Sequence, residues 1–238
     1  MLITAGEKKL NKCIEDINKD IDRTFHEISK FGQDEAGYER LGKLLYSYAV
    51  LLISIYRNDF GYVQGMNYLA GVIIMNCPNF ESFVIFANIL HHDIFHNIYS
   101  FDQKWLKAYS SILEKLLKLK GKQIFEHLSK LKYNFTTFIL ESVITIFSSM
   151  FTFDNVLMLI DFILGDIEYR IFNSMVGIIM AIEKELLDIE TFELILMALK
   201  KPGKIKNEDS IIENATKFIF TKNIFEKSKD ETIKEMFN

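Results

Sequence analysis

Prolines and cysteines are scarce in this chain, two of each in 238 residues. Two thiols, Cys13 and Cys77, are too few for a thiolate metal cluster or a disulfide framework, and without a secretory leader they read as reduced, in an intracellular protein. The start runs from Met1 to Gly6 straight into Glu7-Lys8-Lys9, which leaves no apolar signal core. The glycosylation triplets Asn134-Phe135-Thr136 and Asn214-Ala215-Thr216 carry no meaning in a cytoplasmic chain. Basic charge is not in excess, the net charge being −4, and this excludes the electrostatic footprint that nucleic-acid binding needs. A phosphate-binding loop, a dinucleotide fingerprint and a nucleophile elbow are all missing, so the chain is expected neither to bind nucleotide by itself nor to run acyl transfer. Long uncharged runs are also rare. One of them, Phe60 to Phe80, is long enough to span a bilayer, but Gln64, Asn67, Asn76, Pro78 and Asn79 interrupt it and are costly in hydrocarbon. It reads as a buried core helix.

The remainder is ordinary globular sequence, 49% hydrophobic and 25% charged, with no composition break to divide it. Apolar residues recur at helical spacing almost throughout, and extended alternation is rare, which predicts an all-α fold in a single multi-helix domain over residues 1–238. Ile14, Ile17 and Ile21 make one stripe of a first helix, from which Arg23 projects away at 100° per residue. Further helices are expected near 39–56, 66–76, 79–91, 102–119, 121–131, 135–148, 153–164, 169–187, 190–200, 207–219 and 223–236, broken at Asn58-Asp59, Pro78, Gly121, Asn134, Gly165-Asp166 and Pro202-Gly203. Residues 201–210 read as an exposed loop. Residues 221–238 read as a terminal amphipathic helix packed on the body. The 21 phenylalanines are spread over all these helices and read as core filling.

One cluster invites a metal reading. In His91-His92-Asp93-Ile94-Phe95-His96, His92 and His96 stand four apart, the spacing of two zinc ligands on a helix, with Asp93 where a general-base glutamate would belong. No third ligand follows at a recognised spacing, and a polar helix terminus is the plainer account; no metal site is expected.

Two short segments carry more chemistry. Ile17-Asn18-Lys19-Asp20-Ile21-Asp22-Arg23-Thr24 offers a guanidinium, and Gly61-Tyr62-Val63-Gln64-Gly65-Met66-Asn67 offers a carboxamide 41 residues further on. Taken singly, Arg23 is one more surface ion pair with Asp20, and Gln64 a capped amide at a helix start. Taken together they are what a phosphate-ester hydrolysis short of its own catalytic groups would borrow. Arginine is a permanent, bidentate cation for phosphoryl oxygens, and glutamine can both donate to and accept from an attacking water.

The run I-x-x-D-x-x-R-T followed by G-Y-x-Q-G-M-N resembles the two signature motifs of the TBC domain, the Rab GTPase-activating module. Phe147-Ser148-Ser149 through Phe151 to Leu157 with Ile160-Asp161, and Leu199 to Pro202 with Ile211, Ile212 and Ala215 to Phe218, resemble later segments of that family. The similarity covers roughly residues 14–220. It implies that Arg23 and Gln64 are an arginine finger and a glutamine finger, inserted in trans into a Rab-type GTPase that carries its own GTP and Mg²⁺. It further implies that Asp20 positions the arginine, that Tyr62, Gly61 and Gly65 shape the glutamine turn, and that Thr24, Asn67 and Asp161 support the site or touch the partner. No independent enzyme activity and no cofactor of its own are expected, and membrane association would come only through the partner, at the cytosolic face of endomembranes. Departures from the pattern are Ile160 in place of tryptophan, Thr152 in place of proline, about one extra helical turn between Tyr48 and Gly61, and only 22 residues before Arg23. They keep an alternative in view, a helical adaptor that binds a Rab or another partner without stimulating hydrolysis.

Overall fold

The computed structural model describes residues 5–25, 28, 36–55 and 61–237. Among these the chain is all helix, with fourteen α-helices and no strand. Its packing divides it into two compact units, Met1–Phe101 and Asp102–Asn238.

The first unit contains α1 (Ala5–Ile21), α2 (Ala36–Val50), α3 (Met66–Asn76), α4 (Asn79–Leu90) and α5 (Asp93–Tyr99). Helix α2 packs against α1, α3 and α4, with Leu41, Leu45 and Tyr48 buried between them. It runs directly into a π-helical turn, Leu51–Ile55, within the stretch expected to carry extra length; the rest of that insertion lies outside the described residues. Helix α3 is buried along nearly all its faces, which explains its almost unbroken apolar sequence. No helix among the described residues is long and apolar enough to cross a membrane. Helix α5 was not anticipated: after α4 the chain turns at His91 and His92 and starts a new helix instead of ending.

The second unit contains α6 (Gln103–Lys120), α7 (Lys122–Lys130), α8 (Phe135–Ile144), α9 (Phe153–Ile163), α10 (Ile167–Ala181), α11 (Glu183–Leu187), α12 (Phe192–Lys200), α13 (Glu208–Ala215) and α14 (Lys222–Phe237). Helix α10 is its axis, buried on every side from Ile171 to Ile179 and packed against α6, α8, α9 and α13. Helix α14 docks on α6, with Phe225 in the core and the Phe237 ring 4.7 Å from Trp105.

Several boundaries differ from the periodic expectation because burial overrides local preference. Helix α8 stops at Ile144, and Ile146 and Phe147 then adopt left-handed conformations at φ 45° and 62° while fully inside the core. That conformation costs roughly 1–2 kcal/mol per residue, less than a buried Ile or Phe side chain gains. The expected helix 169–187 breaks at Ile182 into α10 and α11. The expected helix 207–219 ends at Ala215, where the buried Asn173 amide donates to the Lys217 carbonyl at 2.5 Å and accepts from the Ile219 N–H at 2.8 Å, drawing the chain out of the helix. Of the expected exposed loop 201–210, Pro202 is buried in a short 3₁₀ turn.

Thr152, where proline would be usual, starts α9, and it uses the N–H that proline lacks. Both its N–H and its hydroxyl donate to Glu208 Oε2 at 2.9 Å, and Asn155 adds a third donor at 3.1 Å, so α9 is clasped to the start of α13. Burial alone would raise the Glu208 carboxyl, but the Thr152 N–H and the Asn155 amide outweigh it and hold the group below its ordinary 4.5. The clasp therefore stabilises the fold above the unfolded value and weakens as pH falls through the folded one. Glu208→Ala is expected to cost about 1 kcal/mol at neutral pH, a modest figure because the site is partly solvated. Urea denaturation should show that cost shrinking as the solution is acidified.

Candidate functional site

The two signature segments meet around one buried carboxylate. Cys13, Ile17, Asp20 and Ile21 share the buried stripe of α1, so a charged group occupies a place where helical periodicity calls for an apolar one. Asp20 is 3% exposed at its side chain, and the polar groups of both segments gather on it. Its Oδ1 pairs with Nη2 of Arg23, and its Oδ2 accepts the Tyr62 hydroxyl at 2.6 Å. The first helix ends at Ile21, so Arg23 sits in the following turn and not on the helix face foreseen from periodicity. Half of its side chain remains exposed.

Thr24 and Asn67 close the ring. The Thr24 hydroxyl donates to the Asp20 carbonyl at 2.6 Å and accepts the Asn67 Nδ2 at 2.8 Å. The Asn67 Oδ1 in turn accepts the backbone N–H of Gly65 at 3.0 Å. The Thr24 hydroxyl accepting from Nδ2 and the Gly65 N–H donating to Oδ1 together orient the Asn67 amide. Tyr62 has one phenolic proton, and the shorter contact to Asp20 takes it in preference to the 3.2 Å approach to Asn67.

Gln64 is exposed at the tip of a turn whose glycines are needed for its shape. Gly61 and Gly65 have φ of 66° and 107°, in the left-handed region that other residues enter at a cost. A Cβ on Gly61 would also lie 2.9 Å from the Cys13 sulfur, which itself accepts the Tyr62 N–H at 3.4 Å. On the other side the Met66 sulfur accepts the Val63 N–H at 3.4 Å. Cys13 was not among the site residues singled out from the sequence, and Met66 was named there only as part of the second motif. The signal for Cys13 was its place four residues before Ile17 on the α1 stripe.

Against this geometry, the sequence profile of the Rab-GTPase-TBC domain matches residues 4–187. The chain belongs to the Rab-GTPase-TBC domain family. Similar proteins include TBC1 domain family member 12 of Xenopus tropicalis, 26% identical over 82% of this chain, and TBC1 domain family member 14 of Homo sapiens, 25% identical over 85%. Drainin of Dictyostelium discoideum is 21% identical over 89% of the chain. The chain spans 28% and 29% of the length of the first two relatives and 47% of Drainin. In fold it is similar to the Chlamydomonas flagellar RabGAP TBC domain, with a TM-score of 0.68 at 18% identity over 88% of this chain and 71% of the other. The Ypt/Rab-GAP domain of Gyp1p gives a TM-score of 0.68 at 17% identity, over 87% and 72%.

Of the residues singled out from the sequence, the first unit of this TBC domain brings together Asp20, Arg23, Thr24, Gly61, Tyr62, Gln64, Gly65 and Asn67. Asp161 lies in the second unit, exposed on α9 beside the buried Ile160. His92 precedes α5 in extended backbone, so His92 and His96 do not share one continuous helix. The described residues hold no group of three or more His, Cys, Asp and Glu placed to bind a metal ion.

Burial first, and the hydrogen bond to Asp20 second, push the Tyr62 phenol far above its ordinary 10.0. The unfolded chain then ionises first, so this residue's contribution is complete below pH 10.0 and declines as pH rises beyond it. Tyr62→Phe should cost about 1–3 kcal/mol at neutral pH by depriving a buried carboxylate oxygen of its donor. It should also reduce the alkaline slope of stability by up to about 1.4 kcal/mol per pH unit. Urea titrations between about pH 8 and about pH 11 read both effects.

Proposed function

We propose that this domain is a GTPase-activating protein for a Rab-type small GTPase in its GTP-bound form. The observation that carries the proposal is the hydrogen-bonded ring about Asp20, which anchors two turns at a common base while leaving Arg23 and Gln64 exposed. Arg23 would enter the partner's nucleotide site and spread its positive charge over the oxygens of the transferring phosphoryl group. Gln64 would hold the attacking water in line, its amide donating to one side and accepting from the other. Neither group changes protonation in these roles, so what the TBC domain contributes is placement. Asp20 orients the guanidinium, Tyr62 and Asn67 brace the glutamine turn with Gly61 and Gly65, Thr24 joins the two, and Asp161 contributes to partner contact. GTP and Mg²⁺ are the partner's. The names of the solved neighbours, a RabGAP TBC domain and a Ypt/Rab-GAP domain, agree with this reading. The reading places the protein at the cytosolic face of endomembranes, in vesicle trafficking.

Single-turnover hydrolysis against a panel of GTP-loaded Rab GTPases tests the proposal. One or more members should be accelerated, Arg23→Ala should lower that acceleration by roughly 10³-fold or more, and Gln64→Ala should lower it substantially, both with affinity for the GTP-loaded partner largely kept. Binding without acceleration by the unaltered protein would instead identify an adaptor.

A further inference from the structure

The first unit carries a second feature that the ring about Asp20 does not use. Helices α2, α3 and α4 leave a groove of about 420 Å³, floored by Leu44 and Ile74 and walled by Phe80 and Phe83. Phe80 is 75% exposed, more than any other large apolar side chain among the described residues, and Val84 lies one turn further along the same helix at 38%. An aromatic so exposed at the mouth of an apolar hollow marks a contact surface better than a fold requirement.

Arg40 gives the groove its chemistry. Its Nε donates to Asn79 Oδ1 and its Nη2 to the Cys77 carbonyl, each at 2.6 Å. Both acceptors are neutral, and among the described residues no carboxylate pairs with this guanidinium, whereas neighbouring Lys43 is matched by Glu39 at 2.5 Å. The cation is thus held in a fixed orientation with its charge unanswered. It also stands between two hollows. Beyond it a shallower depression of about 480 Å³, bordered by Met75, Asn76, Cys77 and Pro78 and about as polar as apolar, shares Arg40, Ile74 and Asn79 with the first.

We propose that this groove receives an amphipathic helical segment of a protein partner, one that presents a carboxylate to Arg40 and apolar side chains to the hollows on either side. The position of the charge selects the occupant. A lipid carries its anion at one end and its apolar part at the other, and a compact anion would leave both hollows unfilled. A helix places an acidic residue at one position and apolar residues three or four before and after it on the same face, which matches a cation with an apolar groove on one side and the Met75 and Pro78 side chains on the other. Arg40, already immobilised, loses little freedom on meeting a carboxylate, and the pair forms charge-assisted hydrogen bonds. This inference does not depend on the nucleotide chemistry proposed above.

The test is selection from a displayed library of helix-forming peptides against the immobilised full chain. Recovered sequences should share an acidic residue with apolar residues three to four positions away on both sides. Their binding should weaken about 10-fold or more on Phe80→Asp, an exposed site where the fold is not at stake, and on Arg40→Gln, which keeps a donor for Asn79. Replacing the peptide's acidic residue by its amide should weaken binding to the unaltered chain but not to Arg40→Gln. Enrichment without acidic residues, equal binding to both variants, failure to enrich any peptide, or Phe80-dependent binding of phosphatidylserine vesicles in place of peptides would overturn the proposal.

Discussion

A carboxylate set into the apolar stripe of a helix is expensive unless its oxygens are matched, and the organisation of the first unit follows from that requirement at Asp20. Each oxygen has a partner from a different part of the chain, Arg23 from the turn after α1 and Tyr62 from the turn before α3. Satisfying one buried group therefore brings two distant turns together, and Thr24 and Asn67 complete the join with a second pair of hydrogen bonds. Such a ring is either complete or costly, since removing one member strands the others in a medium that cannot replace them. The exposure of the two candidate fingers follows from the same design: Gln64 takes no part in the ring, and Arg23 lends it one guanidinium nitrogen while half of its side chain stays exposed.

The glutamine turn shows how backbone and packing share the work. Two left-handed glycines set its path, the α1 stripe supplies the sulfur beneath Gly61, and the first residues of α3 supply the methionine and asparagine that hold its other end. Strain is also accepted outside glycine, at Phe25 and Phe101 in the first unit and at Ile146 and Phe147 in the second. Ile146 and Phe147 stay left-handed because both side chains are needed in the core, and the resulting sharp end of α8 sets the direction of the segment that leads to Thr152 and α9.

What could be read from the sequence was whatever is written locally. Helical periodicity identified nearly every helix, and the pairing of rare polar residues in two short motifs pointed to the candidate site, because glycines, a tyrosine and two amides beside an apolar run are hard to explain by packing alone. The burial of Asp20 could not be read in the same way, since its i, i+3 spacing from Arg23 describes a surface ion pair equally well. The break at Ile182, the ending of α13 under the grip of Asn173 and the extra helix α5 all depend on contacts between distant residues. The groove at Arg40 is of the same kind. Arg40 and Asn79 are 39 residues apart, and only the packing of α2 against α3 and α4 makes them neighbours.

Because the bonds that join the two turns run directly from one to the other, the spacing of Arg23 and Gln64 is set within the ring itself. The chain between Phe25 and Gly61 carries α2, whose buried Leu41, Leu45 and Tyr48 belong to the core of the first unit, so a change of length within that helix would disturb packing. A change of length outside such packed residues acts mainly through the entropy of loop closure, a term that grows by about 0.6 kcal/mol for each doubling of length. Homologous chains can therefore vary there cheaply while still carrying both side chains on the same frame.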